Sequence, residues 1–123
     1  MKSFPKRGEI YWADLPNGLV NVHSGSRPVL VISNNIGNKN SPVVIVAPLT
    51  TKSHHGNLPT RVLVVNHRPR VQRGVDVLKL IQSSIMFEQI MTINKSCLIE
   101  KMGCVKMDEA LEFALKNSIG LGC

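Results

Sequence analysis

The feature that most constrains the fold of this chain is a single change in the spacing of its hydrophobic residues. Up to about residue 106, the apolar residues come in short runs dense in Val and Ile, separated by Gly, Pro, Asn and Ser. Such runs predict β-strands joined by turns. From Met107 onward the apolar residues recur at helical spacing, which predicts one C-terminal helix. The pattern therefore predicts class α+β, a small, partly open antiparallel β-barrel with a C-terminal α-helix.

Five segments have the composition of strands, namely 9–15, 27–33, 43–50, 60–65 and 83–93. The second and third are dense in Val and Ile, so we expect them to be buried on both faces. The fifth is predicted as one continuous strand whose side chains alternate between two faces. Polar loops are predicted at 34–42 and 51–59, an exposed basic loop at 66–76, and a brief extended segment at 103–106.

The predicted helix carries charges where a helix dipole favours them. Asp108 and Glu109 lie near its start and Lys116 in its last turns. We expect Glu112 and Lys116 to form an i,i+4 pair. Gly120 is predicted to end the helix in a left-handed conformation.

The chain is strongly basic. Fifteen Lys and Arg residues against eight Asp and Glu give a formal net charge of +7 over 123 residues. This length suits one domain, 1–123, and the charge favours a polyanionic partner such as nucleic acid, an anionic membrane or an acidic protein. The longest apolar runs fall far short of a membrane span, and the N-terminal residues include no apolar signal segment, so we expect a cytoplasmic protein that has no membrane association.

Neither the histidines nor the cysteines have the spacing of a metal site. The adjacent His54 and His55 would point to opposite faces of a strand, and the other two histidines lie on separate loops without acidic or thiol ligands nearby. Cys97, Cys104 and Cys123 share no metal or redox spacing, so we expect free thiols. No phosphate-cradling loop or nucleophile elbow is present either. The sequence thus predicts neither a metal nor another cofactor.

Two residues at strand ends remain as candidates for chemistry. Arg27 stands at a loop–strand junction before Pro28, where a guanidinium can hold a phosphate at two points, although most arginines there are ordinary surface charges. Thr50 ends the next strand, where its hydroxyl can donate to the same phosphate, although threonine is common in strands for reasons of propensity. Neither residue alone indicates a function.

Several stretches taken in order resemble the MazF/PemK toxin family over nearly the whole chain, from about Lys6 to the C-terminal helix. The stretches are RGEIYWADL at 7–15, SGSRPVLVI at 24–32, NNIGN at 34–38, SPVVIVAPLT at 41–50, LPT at 58–60 and EQIMTI at 88–93. The resemblance implies a homodimeric, SH3-like barrel that is the toxin of a type II toxin–antitoxin system. It also implies a metal-independent endoribonuclease that cuts single-stranded RNA within short sequences, and a cognate antitoxin whose flexible acidic tail occupies the RNA groove.

The resemblance also implies roles for individual residues. Arg27 and Thr50 match the catalytic pair of the family, and Ser83 and Gln89 match positions close to RNA-contacting ones. With Ser24 and Thr51 beside the pair, these residues are expected to bind RNA. Because the substrate's own 2′-OH is the nucleophile, we expect Arg27 to clamp the phosphate and supply a proton, and Thr50 to donate to the transition state.

The proton acceptor of such a reaction is a separate hypothesis. His23 is the only group near Arg27 whose ordinary pKa lies close to neutrality, so it is either the general base or a plain loop histidine.

The chain departs from the family pattern at several points, and these keep alternatives open. Met91 stands where the family often has Arg or Lys, Gln82 stands where it commonly has Asp, and Val20–His23 replaces a usual Gly-Ser-Glu-Gln run. The alternatives are a binding toxin of the gyrase-poison type on the same fold, or an inactive RNA-binding relic. The basic residues Arg68, Arg70 and Arg73 either contact RNA or lie in solvent.

Overall fold

The computed structural model describes residues 3–15, 25–51, 60–67 and 69–121. The strands are β1 Glu9–Leu15, β2 Gly25–Val31, β3 Val43–Thr50, β4 Arg61–Leu63, β5 Arg70–Val71, β6 Ser84–Met86, β7 Met91–Asn94 and β8 Leu98–Cys104. The helices are α1 Asn35–Asn40, α2 Val77–Ile81 and α3 Glu109–Ser118, with 3-10 helices at Val64–His67, Phe87–Gln89 and Lys95–Cys97. No helix of the described residues is long and apolar enough to cross a membrane.

The strands form one antiparallel sheet in the order β4-β6-β3-β2-β1-β8-β5, with β7 also paired to β3. The two ends of this order are β4 and β5, so among the described residues the sheet is open and does not close into a barrel. The prediction of class α+β, a partly open antiparallel barrel with a C-terminal helix, is confirmed as a mostly antiparallel open sheet with that helix.

Each face of the sheet carries its own apolar cluster, because alternate side chains of a strand point to opposite faces. On β2, Leu30 contributes to one cluster, while Val29 and Val31 contribute to the other. The first cluster is covered by α3 through Leu111 and Ala114. Its other buried members are Ile10, Ile32, Ala47, Leu49, Val64, Leu80, Ile85, Phe87 and Val105.

The predicted continuous strand 83–93 is wrong, because the chain breaks into β6, a 3-10 turn and β7. Ile85 of β6 pairs with Leu49 of β3, and Met91 of β7 pairs with Val46. Between these two pairs the segment from Ile85 to Met91 advances six residues, whereas β3 advances only three. The three extra residues form the turn Phe87–Gln89. The turn places Phe87 in the core, where it is fully buried. This burial stabilises the break in the strand, which the alternation of apolar residues in the sequence does not indicate.

Two short helices, in or directly after loops predicted from composition, are absent from the prediction. The segment 34–42 holds α1, whose N-cap Asn34 accepts a hydrogen bond from the Gly37 backbone N–H at 2.8 Å. The basic segment 66–76 contains β5 and leads into α2, whose N-cap Asp76 accepts from the Lys79 backbone N–H at 3.2 Å. Both helices have six residues or fewer, which is too short for a visible hydrophobic period. They form because of their side-chain caps and their tertiary contacts.

Strand boundaries are confirmed for β1 and β3 and shifted elsewhere. The predicted strand 27–33 begins earlier, at Gly25, and 60–65 shortens to Arg61–Leu63. The predicted extended piece 103–106 is part of a longer strand, β8, which pairs with β1. Gly103 is needed there, because a Cβ at this position would overlap the backbone oxygen of Arg70 on β5.

The C-terminal helix is confirmed, with two changes of detail. It begins after Asp108, which is its N-cap and accepts from the Leu111 backbone N–H at 3.1 Å. Gly120 follows the helix with a φ of 77°, as predicted. The predicted Glu112–Lys116 pair is wrong, because Glu112 instead contacts Arg7 of the N-terminal segment at 3.3 Å.

Candidate functional site

A cleft of about 430 Å³ opens at one end of the first apolar cluster. Its floor is a row of residues that crosses four strands. Trp12 of β1 pairs with Pro28 of β2 on one side and with Glu100 of β8 on the other, so the three side chains share a face. Leu49 of β3, which is buried in the first apolar cluster, adds a fourth strand to this floor. The floor is therefore largely apolar and ends at a carboxylate.

The opposite wall of the cleft is α2 with the turn Gly74–Asp76 before it. Leu80 anchors the helix, because its side chain is buried in the apolar cluster. Gly74 has a φ of 87°, a conformation that favours glycine and lets the chain turn into the helix. The wall presents Asp76 and Lys79 to the cleft.

Arg27 and Thr50 both line the cleft at its rim. Arg27 of β2 pairs with Ala13 of β1, and Thr50 ends β3, so both lie at the same end of neighbouring antiparallel strands, beyond the last β2–β3 pair, Val29–Pro48. The sheet thus brings together the two residues that the sequence singled out at separate strand ends.

The Arg27 guanidinium is partly buried. Its Nε atom is buried and has no hydrogen-bond partner among the described residues. Burial lowers the pKa of Arg27 below its ordinary value, because desolvation disfavours the charged form. A buried donor without a partner costs free energy in a folded protein, so this geometry favours an acceptor that arrives with a ligand.

Two of the four residues expected to bind RNA also line the cleft. Thr51 is exposed beside Thr50. Ser83 is buried, and its hydroxyl donates to the Lys79 backbone oxygen at 2.8 Å, which ties the end of α2 to the following strand. Gln89 is half-buried on the 3-10 turn after β6 and is not among the residues lining the cleft.

Some predicted residues cannot be placed in this site. His23 and Ser24 lie outside the described residues, and so does Arg68. Arg70 and Arg73 are exposed near β5 and do not line the cleft. Within the described ranges, no group of three or more His, Cys, Asp or Glu side chains is arranged to hold a metal ion. Cys97 and Cys104 are free thiols, and Cys123 is outside the described part of the chain.

The cleft residues that the sequence does not single out include Trp12, Asp76, Lys79, Glu100 and Met102. Asp76 before the apolar run at 77–81 is a recognisable helix N-cap, and this signal was available in the sequence. No local signal marks the others, because the β1–β8 register alone brings Glu100 beside Trp12.

Comparison with known proteins gives three findings. Residues 6–116 match the model of the family described as PemK-like, MazF-like toxin of type II toxin-antitoxin system. The chain is 40% identical over 116 residues to Endoribonuclease EndoA of Bacillus subtilis (strain 168), an alignment covering 89% of this chain and 93% of that protein. The structure is similar, with a TM-score of 0.69 and 26% identity, to an endoribonuclease in complex with its cognate antitoxin from a mycobacterial species, covering 97% and 98% of the two chains.

A more distant solved structure supports the fold alone. MazF from Deinococcus radiodurans superposes with a TM-score of 0.72 at 16% identity, covering 98% of this chain and all of that one.

Proposed function

Because the chain belongs to the PemK-like, MazF-like toxins of type II toxin–antitoxin systems, we propose that it is an endoribonuclease that cuts single-stranded RNA in the Arg27 cleft. The observation that carries this proposal is the Arg27–Thr50 pair at the rim, with a buried guanidinium nitrogen that has no partner among the described residues. The relative at 40% identity is named an endoribonuclease, which supports the same activity.

The chemistry that suits this pair needs no protein nucleophile. The 2′-oxygen of the RNA attacks the adjacent phosphorus, the bond to the 5′-oxygen breaks, and the products carry a 2′,3′-cyclic phosphate and a 5′-hydroxyl. The phosphorane formed on the way is crowded and negatively charged, so donors fixed around it lower the barrier. Arg27 binds its oxygens from the cleft rim, and Thr50 donates its hydroxyl from the neighbouring strand.

Proton transfer completes the balance of this step. The 2′-OH loses a proton to a general base, and the leaving 5′-oxygen gains one from a general acid. We assign the acid role to Arg27, since its guanidinium lies at the cleft rim with Thr50, where the scissile phosphate is expected to bind. His23 stays our hypothesis for the base, and it lies outside the described residues.

An antitoxin and a second copy of the chain are the expected protein partners. A solved relative at 26% identity is in complex with its cognate antitoxin. The formal charge of +7 favours an acidic, flexible antitoxin tail in the RNA groove, because such a tail competes with RNA for the same basic groups. We propose that the chain forms a homodimer, because the resemblance to the MazF/PemK family implies one.

The test is digestion of a long mixed-sequence RNA in the presence of EDTA, with the ends of all fragments mapped. We expect cuts at discrete positions that leave 5′-hydroxyl ends, and we expect them to disappear with Arg27→Ala. Lys116→Ala is the matched control, because it removes one positive charge from the exposed face of α3. Intact RNA at high concentrations of folded, antitoxin-free protein would contradict the proposal and favour a binding poison or an inactive RNA-binding protein.

A further inference from the structure

The floor of the cleft carries an aromatic ring and a carboxylate side by side. Trp12 is 37% exposed although it lies on a central strand, and it faces the cleft. Glu100 is its cross-strand partner on β8, so the two side chains stand next to each other on the same face. A flat, partly exposed indole beside a hydrogen-bond acceptor is the arrangement that binds an unstacked nucleobase in single-stranded RNA.

Glu100 has no hydrogen-bond or ion-pair partner among the described residues. Its neighbour Lys101 points to the other face and binds Glu9 at 2.7 Å instead. A lone carboxylate repels phosphate, so it weakens the binding of an RNA backbone in this cleft. Its presence there is accounted for if it accepts a hydrogen bond from a base.

The chemistry of a carboxylate selects among bases. An ionised carboxylate only accepts hydrogen bonds, so it favours a base whose edge carries an amino group. Cytosine, adenine and guanine have such a group. Uracil presents carbonyl oxygens on either side of its single N–H, and these repel a carboxylate.

We propose that Trp12 stacks on one base of the RNA and that Glu100 accepts a hydrogen bond from the amino group of that base, so that this subsite selects amino-bearing bases over uracil. The inference rests on the proposed function, since it places the base in the cleft where Arg27 holds the phosphate. Trp12 supplies affinity for any base, and Glu100 supplies the discrimination.

The test uses RNA that the enzyme is unable to cut, so that binding is measured apart from catalysis. The probes are 2′-O-methyl hexauridine and its variants with a single cytosine or adenine at each position. We expect the wild type to bind one of these variants roughly ten-fold more tightly than hexauridine, the gain of a good base contact. We expect Glu100→Leu to abolish this ratio, and Glu109→Leu, the matched loss of an exposed carboxylate on α3, to keep it.

Two further variants separate recognition from a structural role. Glu100→Lys replaces the acceptor with a donor, which every base can satisfy with a ring nitrogen or a carbonyl oxygen, so we expect the preference for amino-bearing bases to be lost at the same position. Trp12→Ala should weaken binding of all probes roughly ten-fold, whereas Trp12→Phe should retain most of the affinity because it retains a stacking surface.

The outcomes bear on the two proposals separately. Equal binding of all probes by the wild type, selectivity that survives in Glu100→Leu, or no binding of any probe would overturn this inference. If RNA is still cut in an Arg27-dependent way under any of these outcomes, the proposed function stands and only the base subsite is wrong.

Discussion

Around the N-terminal segment and α3, charged side chains find partners within the chain, whereas several of those in the cleft have none among the described residues. We call the first region the ion-pair end; its ion pairs are Arg7–Glu112 at 3.3 Å and Lys101–Glu9 at 2.7 Å, and the His67 ring is within hydrogen-bond distance of Asp108, at 2.8 Å. In the cleft, the Arg27 Nε and the side chains of Lys79 and Glu100 have no such partner among the described residues. The two regions use similar residue types for different purposes.

The pKa shifts follow the same division. At the ion-pair end, burial acts to raise the pKa of Glu9, but hydrogen bonds from Lys101, the Lys6 backbone and Tyr11 outweigh it and lower the pKa. Burial and the neighbouring Glu9 raise the pKa of Tyr11 to about 12. In the cleft, burial lowers the pKa of Arg27 with no compensating partner. The fold thus satisfies the charges at the ion-pair end, whereas the buried Nε of Arg27 in the cleft has no partner among the described residues and is available to a ligand.

The largest effect is expected for Arg27→Ala on RNA cleavage. Removing a charged donor from the transition state should lower the rate constant by about 1000-fold. Arg27→Lys should recover little, because an ammonium lacks the planar fork that binds two phosphate oxygens. Single-turnover cleavage of one RNA gives the rate constants. Wild-type rates in Arg27→Ala would place the chemistry elsewhere and remove the distinction between the two regions.

A smaller loss is expected for Thr50→Val. This change keeps the shape of the side chain and removes its hydroxyl, so the cleavage rate should fall by about 100-fold. Thr50→Ser keeps the hydroxyl and should stay within a few-fold of the wild type. The same single-turnover assay measures both. If Val and Ser variants lose activity equally, the role of Thr50 is one of packing rather than of hydrogen bonding.

At the ion-pair end, Asp108→Ala should change stability and leave cleavage unchanged. The substitution removes both the N-cap of α3 and the contact with His67, whose side chain is only 7% exposed. We expect a loss of about 1–2 kcal/mol in the free energy of unfolding, measured in urea. Glu109→Ala is the control, since Glu109 is exposed and does not cap the helix. A loss of activity in folded Asp108→Ala would show that this end takes part in function.

The smallest effect is a pH dependence of stability that comes from Glu9. The pKa of Glu9 is lowered in the folded state. Its stabilising contribution to the free energy of unfolding is therefore complete above the unfolded-state pKa of about 4, and it is lost as the pH falls through the folded-state pKa. The difference in unfolding free energy between wild type and Glu9→Gln should therefore be about 1 kcal/mol or less at neutral pH and shrink below pH ~4. A difference that grows on acidification would contradict this assignment.

The two regions also differ in how far the sequence predicts them. Runs of β-branched residues predict β1 and β3 with correct bounds, because packing and propensity agree there. The break at Phe87–Gln89 is not predicted, since it depends on the unequal advance of β6 and β7 along β3. Short helices such as α2 are also missed, because five residues are too few for a visible period.

For the cleft, the family resemblance found the rim and missed the floor. Arg27 and Thr50 occur within recognisable motifs and both line the cleft, because each lies at the same end of its strand. Trp12 and Glu100 are 88 positions apart in the chain and meet through the pairing of β1 with β8, which no local pattern encodes. Likewise, the partner of Glu112 is not its helical neighbour Lys116 but the distant Arg7.

The most direct test of the central claim is the unfolding of Arg27→Met in urea, compared with the wild type. If the fold leaves the Arg27 guanidinium desolvated for a ligand, an apolar side chain of similar length should remove that cost and abolish cleavage. We predict a free energy of unfolding equal to or higher than that of the wild type, with no detectable cutting of RNA. A loss of more than about 1 kcal/mol would contradict the account, because it would mean that Arg27 holds the fold together.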